Sequence, residues 1–157
     1  YCRWALAWIS NPKEILGKIS KALVPQGKMV IQEYYDWSTH QTKPEMLGLK
    51  YAIAKSLESF KNTDSEIDIG AYLPKILTEL GLEICSIRLM SKIAKPDSKV
   101  WDWPTTFYKS YFPRLKSMNF ITNYEEKKAY RDIKTLSKLP YATICCPLMV
   151  EVIAQKN

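Results

Sequence analysis

The chain has 157 residues and a formal net charge of +7, with 46% hydrophobic and 25% charged residues. This length suits one domain, and the composition excludes an intrinsically disordered chain and a collagen-like repeat. The uninterrupted apolar runs are only a few residues long, whereas a membrane-spanning helix needs about 20, so an integral membrane protein is excluded. The lysines and arginines are spread along the chain, which favours a solvated basic surface over a nucleic-acid site.

The first 40 residues predict a strand, a helix and a second strand. Residues 1–10 are apolar and aromatic, as expected for the end of a buried strand that enters a loop. Asn11 predicts a helix cap, and Pro12 suits the first helical position because its missing N–H has no partner there. A Pro-x-Gly turn follows, and the apolar run 28–35 then predicts a buried parallel strand that ends in a loop over 36–40.

The remaining residues predict two helices, two strands and a long insert. Helices are expected over 44–61 and 70–80, with Asp68 as a cap and Gly81 as a left-handed terminus. Strands are expected over 82–93 and 141–155, with Pro147 at a bulge or an edge position. The stretch 96–140 between them is aromatic, then polar and helical, and inserts of this length usually have a function.

Two motifs in the first 40 residues resemble class I S-adenosylmethionine-dependent methyltransferases. The segment CRWALAWISNP is similar to the end of that family's fourth strand and the start of the next helix. The segment LVPQGKMVIQE is similar to the turn and the fifth strand, with Gln26 in place of the first glycine of the usual Pro-Gly-Gly. The segment 67–84 resembles, more weakly, the helix before the sixth strand. The chain therefore resembles the C-terminal half of such an enzyme.

The resemblance implies an α/β fold, namely a partial Rossmann-like methyltransferase sheet of strands four to seven with flanking helices. Residues 1–95 and 141–157 would form this half of the core, and residues 96–140 a helical insert between the last two strands. The insert would be a substrate lid or, alternatively, a helical subdomain packed for stability or dimer contacts. The implied cofactor is S-adenosylmethionine, and the implied acceptor is a small molecule.

The family's glycine-rich cofactor loop has no counterpart, since the sequence contains no G-x-G. The first residue is Tyr1 rather than Met, so we expect upstream residues that supply the missing half. The intact parent is expected to bind S-adenosylmethionine, and this chain alone is expected to bind it weakly or not at all. An unpaired sheet edge would favour a homodimer or a strand-swapped oligomer.

The resemblance places three groups of candidate residues near the ends of the fourth and fifth strands and in the insert. Cys2, Arg3 and Trp4 would lie near the methionine end of the cofactor. The catalytic candidates are Glu33, Tyr35 and His40, of which the carboxylate and the imidazole have the chemistry of a general base. The candidates for substrate binding are Tyr34, Trp37, Trp101, Trp103 and Phe107. For each residue an ordinary packing or surface role remains the alternative.

The four cysteines and the single histidine form no metal-ligand spacing, so no metal site is predicted. The vicinal pair Cys145 and Cys146 lies in an apolar segment, which favours reduced thiols and a cytoplasmic location. Two other functions stay open: a methyltransferase-like binding or dimerisation module without activity, and a nucleic-acid methyltransferase. A membrane partner is not expected.

Overall fold

The computed structural model describes residues 1–61 and 63–157, which form a mixed α/β structure. The chain folds into two compact units. Unit 1 comprises Tyr1–Trp37, Thr63–Ser91 and Pro147–Asn157, and unit 2 comprises Ser38–Asn62 and Lys92–Cys146. The predicted insert, residues 96–140, lies within unit 2, which also includes the segment that starts at Ser38.

Unit 1 contains a four-stranded sheet. Its strands are β1 (Cys2–Arg3), β2 (Lys28–Asp36), β4 (Leu82–Met90) and β7 (Leu148–Lys156). Their order is β1-β2-β7-β4, with β1 parallel to β2 and β7 antiparallel to both of its neighbours. The first segment therefore pairs in parallel with the strand predicted over 28–35, as a Rossmann-like sheet implies, and the last two strands of the sheet pair antiparallel.

Helix α1 (Pro12–Ala22) connects β1 to β2 and begins as the sequence predicts. The Asn11 side chain accepts a hydrogen bond from the Glu14 backbone N–H, and Pro12 occupies the first turn. Gln26, which replaces a glycine of the family turn, adopts a left-handed φ of 63°. This backbone conformation favours glycine, so Gln26 adopts it at a cost in conformational free energy.

Helix α3 (Leu73–Glu79) follows a 3-10 helix at Ile69–Ala71 and packs beside β4. The predicted helix over 70–80 is thus divided into two helices. The prediction that the Asp68 side chain caps it is wrong, because the Asp68 carboxylate accepts from the Trp37 backbone N–H instead. Gly81 has a φ of 78° as predicted. Gly70 lies where an added Cβ would come within 2.4 Å of the Tyr34 carbonyl oxygen.

The single strand predicted over 141–155 is wrong. The structure has two strands, β6 (Thr143–Cys145) and β7, and Pro147 lies between them rather than within one. The strand predicted over 82–93 ends at Met90. The short separate strand β5 (Ile93–Ala94) follows it. Pro147 has no N–H to donate, so it is suited to the break between two strands.

The described part of unit 2 contains a three-stranded sheet and three α-helices. Its strands are β3 (Gln41–Lys43), β5 and β6, in the order β3-β6-β5 with antiparallel pairing. Its helices are α2 (Leu47–Lys61), α4 (Lys99–Ser117) and α5 (Asn123–Leu136). A complete capping box between Thr122 and Glu125 begins α5, while Asp132 on α5 accepts a hydrogen bond from the Leu49 N–H near the start of α2.

Aromatic rings from α2, α4 and α5 form the core of unit 2. Phe107 stacks on Tyr111 with ring centroids 5.0 Å apart, and Tyr111 stacks on Phe60 at 5.2 Å. Tyr108 and Phe112 are fully buried and stack at 5.1 Å. Offset and stacked aromatic pairs add to the free energy gained from burial, so this cluster stabilises the helical unit.

Candidate functional site

Strands β1 and β2 run parallel, and their carboxyl ends lie side by side in unit 1. Cys2 pairs with Ile31 and Arg3 pairs with Gln32. Trp4 follows with a φ of 55°, and its backbone N–H donates to the Gln32 carbonyl oxygen. Open α/β sheets bind ligands at the carboxyl ends of their strands, so the residues after β1 and in the last part of β2 form the candidate site.

Glu33 anchors the loop that follows β1. Its side chain is fully buried, and its Oε1 atom accepts hydrogen bonds of 2.8 Å from the backbone N–H groups of Ala5 and Leu6. Burial raises the pKa of this carboxyl above its ordinary value, and the backbone N–H groups partly oppose that rise. These contacts support a positioning role for Glu33, while its predicted role as a base stays a prediction.

Three aromatic residues form what we call the strand-end cluster: Trp4, Tyr34 and Trp37. The Trp4 and Tyr34 rings are nearly parallel with centroids 6.1 Å apart, and the Tyr34 and Trp37 rings are tilted at 5.2 Å. The Arg3 guanidinium lies over the Trp4 ring, 4.1 Å from its centroid. The structure thus brings together two predicted cofactor residues, Arg3 and Trp4, and two predicted substrate residues, Tyr34 and Trp37.

Carboxylates lie beside the strand-end cluster. The Trp37 backbone N–H donates to Asp68 Oδ1 at 2.8 Å. Burial raises the pKa of Asp68, and the charges of Asp36 and Glu66 raise it further, while the Trp37 N–H opposes the rise. Sequence reasoning missed Asp68 as a site residue because its contact with Trp37 spans 31 residues and follows no local pattern.

Cys2 in β1 and Tyr35 in β2 have different surroundings. The Cys2 thiol is half-buried, and burial together with the Glu33 charge raises its pKa. The raised pKa keeps Cys2 a thiol rather than a thiolate near neutral pH. Tyr35 is 45% exposed, and it lies at a register irregularity in β2 between Tyr34 and Asp36. The catalytic role of Tyr35 stays a prediction.

His40 lies in unit 2 and is buried. Its Nδ1 is 2.8 Å from the Cys145 carbonyl oxygen, which must accept, so Nδ1 carries the proton. Its Nε2 therefore accepts from the Tyr108 hydroxyl at 2.6 Å. Burial lowers the pKa of His40 to about 4. A base at this position would have to give up the Tyr108 hydrogen bond, so the geometry supports a structural role more than catalysis.

The other predicted substrate residues lie on helix α4 in unit 2. Trp101 is buried, whereas Trp103 and Phe107 are half-buried. Phe107 packs against Tyr111 and Tyr108 as part of the aromatic core. The lid function of these residues stays a prediction. Among residues 1–61 and 63–157, no helix is long and apolar enough to cross a membrane.

Comparison with known proteins found no matching family model and no matching curated protein. Among solved structures, the chain is similar to a protein from Bacillus halodurans C-125 that is provisionally assigned as a methyltransferase. The TM-score is 0.53 and the identity 14%, over 99% of this chain and 67% of that chain. It is also similar to phosphoethanolamine N-methyltransferase 2 of Haemonchus contortus, solved with phosphomonomethylethanolamine and S-adenosylhomocysteine. For that protein the TM-score is 0.44 and the identity 11%, over 98% of this chain and 32% of that chain.

At these identities the similarity shows the fold and not the activity. The Bacillus halodurans protein matches almost the whole of this chain, while this chain spans about two thirds of its length. Five α-helices and the sheets of the described residues thus form a mixed α/β fold similar to that of a methyltransferase.

Proposed function

We propose that this chain is the C-terminal part of an S-adenosylmethionine-dependent methyltransferase that acts on a small-molecule acceptor. The observation that carries the proposal is the order β1-β2-β7-β4, in which β7 runs antiparallel between two parallel strands. This is the arrangement that the family resemblance implies for strands four, five, seven and six. The similarity in fold to the Bacillus halodurans protein supports it independently of the sequence motifs.

The residues at the ends of β1 and β2 fit a sulfonium cofactor. The Arg3 guanidinium lies over the Trp4 ring, and a sulfonium carries the same charge, which supports a cation contact at this ring. Arg3 is exposed and so is able to pair with a carboxylate of the cofactor or of the acceptor. When bound, the cofactor would supply an activated methyl group.

The chain's own residues would contribute mainly alignment. Methyl transfer is an in-line displacement, so holding the two reactants at the correct distance and angle gives most of the acceleration. Glu33 fixes the loop after β1 through two backbone N–H groups, and the strand-end cluster provides rigid ring faces. No dedicated nucleophile is required for this chemistry.

We also propose that the cofactor pocket is completed by strands outside this sequence. In the described residues β1 pairs with β2 on one side only, and the sequence has no glycine-rich phosphate or nucleoside loop. One of the family's first three strands would pair with the other edge of β1, and the other two would extend the sheet. A strand edge of this kind is also the place at which a second copy of the chain would pair.

Calorimetry tests the proposal on this chain and on the natural protein that contains it together with its upstream sequence. The longer protein is expected to bind S-adenosylmethionine and to convert it to S-adenosylhomocysteine with a small-molecule acceptor, whereas this chain binds it weakly or not at all. Micromolar binding by this chain would refute the incomplete pocket. Failure of the longer protein to bind the cofactor would refute the methyltransferase. Light scattering then shows whether this chain pairs with itself.

A further inference from the structure

We propose that the strand-end cluster binds an onium cation, such as an alkylammonium group, on the Trp4 ring that Arg3 now covers. This inference rests on the proposed function for its role, in which the acceptor would carry an onium group that the rings hold beside the methyl donor. The site itself follows from the contacts of Trp4, Tyr34, Trp37 and Arg3.

The first argument is that the ring already holds a cation. The Arg3 guanidinium carbon lies 4.1 Å from the Trp4 centroid, well inside the roughly 6 Å within which a cation is attracted to a ring face. Tryptophan is the best of the aromatic residues for this interaction. Arg3 is exposed and its side chain is flexible, so an incoming cation is able to replace it on the ring.

The second argument is that the rings are held in place. Tyr34 is 6% exposed and Trp37 is 3% exposed, and Tyr34 lies between Trp4 and Trp37. The Trp4 indole N–H donates to the Met149 sulfur at 3.3 Å, which orients the ring. Rings that do not have to be ordered on binding lose little entropy, so the free energy of a cation contact is retained.

The third argument is electrostatic. Asp68 contacts the Trp37 backbone, and the charges of Asp36 and Glu66 act on Asp68. Glu33, buried below the loop, adds a fourth acidic group in the same part of unit 1. Arg3 is the cation that the structure places on these rings. The carboxyl groups of Asp68 and Asp36 beside Trp37 favour a positively charged ligand over an anionic one.

An onium group on the acceptor and the sulfonium of the cofactor share this chemistry, so the experiment separates them. Titrations follow the indole N–H resonances of this chain by NMR. The probe is choline, and its neutral counterpart of the same shape is 3,3-dimethyl-1-butanol. S-adenosylmethionine and the uncharged thioether S-adenosylhomocysteine form the second pair.

Choline is expected to shift the Trp4 indole resonance and to bind about fivefold more tightly than the neutral alcohol, as a partly desolvated cation–π contact implies. Removing the competing guanidinium in Arg3→Ala should tighten choline binding about threefold. Trp4→Leu should abolish the difference between choline and the alcohol. Trp8→Leu is the matched control, since Trp8 is 46% exposed and lies outside the cluster, and it should leave choline binding unchanged.

Equal affinity for choline and the alcohol in the wild-type chain would overturn the proposal without any variant having to fold. So would Arg3→Ala binding choline no more tightly than the wild type. The cofactor pair is titrated into the longer protein. If S-adenosylmethionine displaces choline there while S-adenosylhomocysteine does not, the sulfonium occupies the ring; if both bind together with choline, the ring binds the acceptor. A longer protein that binds choline but no cofactor would refute the methyltransferase and leave the cation site in place.

Discussion

Glu33 Oε1 lies 2.8 Å from the backbone nitrogen of Leu6, although 27 residues separate the two in sequence. The same oxygen accepts from Ala5, so a single buried carboxylate in β2 holds two consecutive N–H groups of the loop after β1. This contact fixes the backbone beside Trp4, and it links the stability of unit 1 to the geometry of the candidate site.

Glu33→Ala should destabilise the chain by about 3 kcal/mol, because the buried Leu6 N–H and the part-buried Ala5 N–H lose their acceptor. Glu33→Gln keeps an acceptor oxygen at the same place and should cost about 1 kcal/mol. Urea unfolding monitored by circular dichroism measures both. The anchoring role fails if the two variants are equally stable, or if Glu33→Ala unfolds at the midpoint of the wild type.

Stability should fall as the pH is lowered from about 6.5 to about 4, because the unfolded chain protonates His40 near 6.5 and the folded chain only near 4. The contribution of His40 is present above 6.5 and decreases below it, by at most about 3 kcal/mol at pH 4. His40→Gln, compared with the wild type at pH 7 and pH 4.5, should show a smaller loss. An identical loss in both chains would contradict the buried neutral imidazole.

Gly70→Ala should destabilise unit 1 by about 2 kcal/mol, as expected for overpacking against backbone. The added Cβ would lie 2.4 Å from the Tyr34 carbonyl oxygen and 2.9 Å from Val150 Cγ1. Gly17→Ala is the matched control: its Cβ would meet only Leu80 Cδ2 at 3.4 Å. Because glycine inside a helix costs about 1 kcal/mol, Gly17→Ala should be neutral or stabilising. Thermal unfolding of both variants checks the pair.

Glu151 should matter more to stability than its ion-pair partner Arg88. The Glu151 side chain is 8% exposed and accepts from Gln32 Nε2 and from Arg88, whose side chain is 67% exposed. Glu151→Ala removes the acceptor of a buried amide and should cost about 2 kcal/mol. Arg88→Ala breaks an exposed contact and should cost less than about 1 kcal/mol. If both variants lost the same free energy of unfolding in denaturant, the exposed ion pair would be the main source of the stabilisation instead.

If residues 96–140 are the proposed lid of the longer protein, the double change Trp103→Ala with Phe107→Ala should alter the choice of acceptor about tenfold in kcat/KM, since lid contacts would act in the transition state. Affinity for S-adenosylmethionine should stay within about twofold. Trp103 is half-buried on α4, and Phe107 packs on Tyr111, so unfolding must be measured in parallel. An unchanged acceptor profile in a folded double variant would contradict the lid.

The local sequence determined those elements that depend only on neighbouring residues. Asn11 and Pro12 begin α1 because a side-chain acceptor and a residue without an N–H are both suited to a helix start. The apolar run at 28–35 became β2 because it is buried on both sides, and Gly81 took the left-handed conformation predicted for it. The family motifs at 1–40 predicted the parallel pairing of β1 with β2.

Only the tertiary structure decided the features that depend on distant residues. Asp68 looked like a helix cap, yet its carboxylate binds Trp37, because a buried N–H from another segment competes for the same acceptor. His40 was a candidate base in a loop; in the structure its ring bonds to Tyr108 and to the Cys145 carbonyl oxygen, and burial lowers its pKa. The sequence thus determined the start of α1, the strand β2 and the left-handed Gly81, whereas the fold decided the partners of Asp68 and His40, because those partners lie far away in sequence.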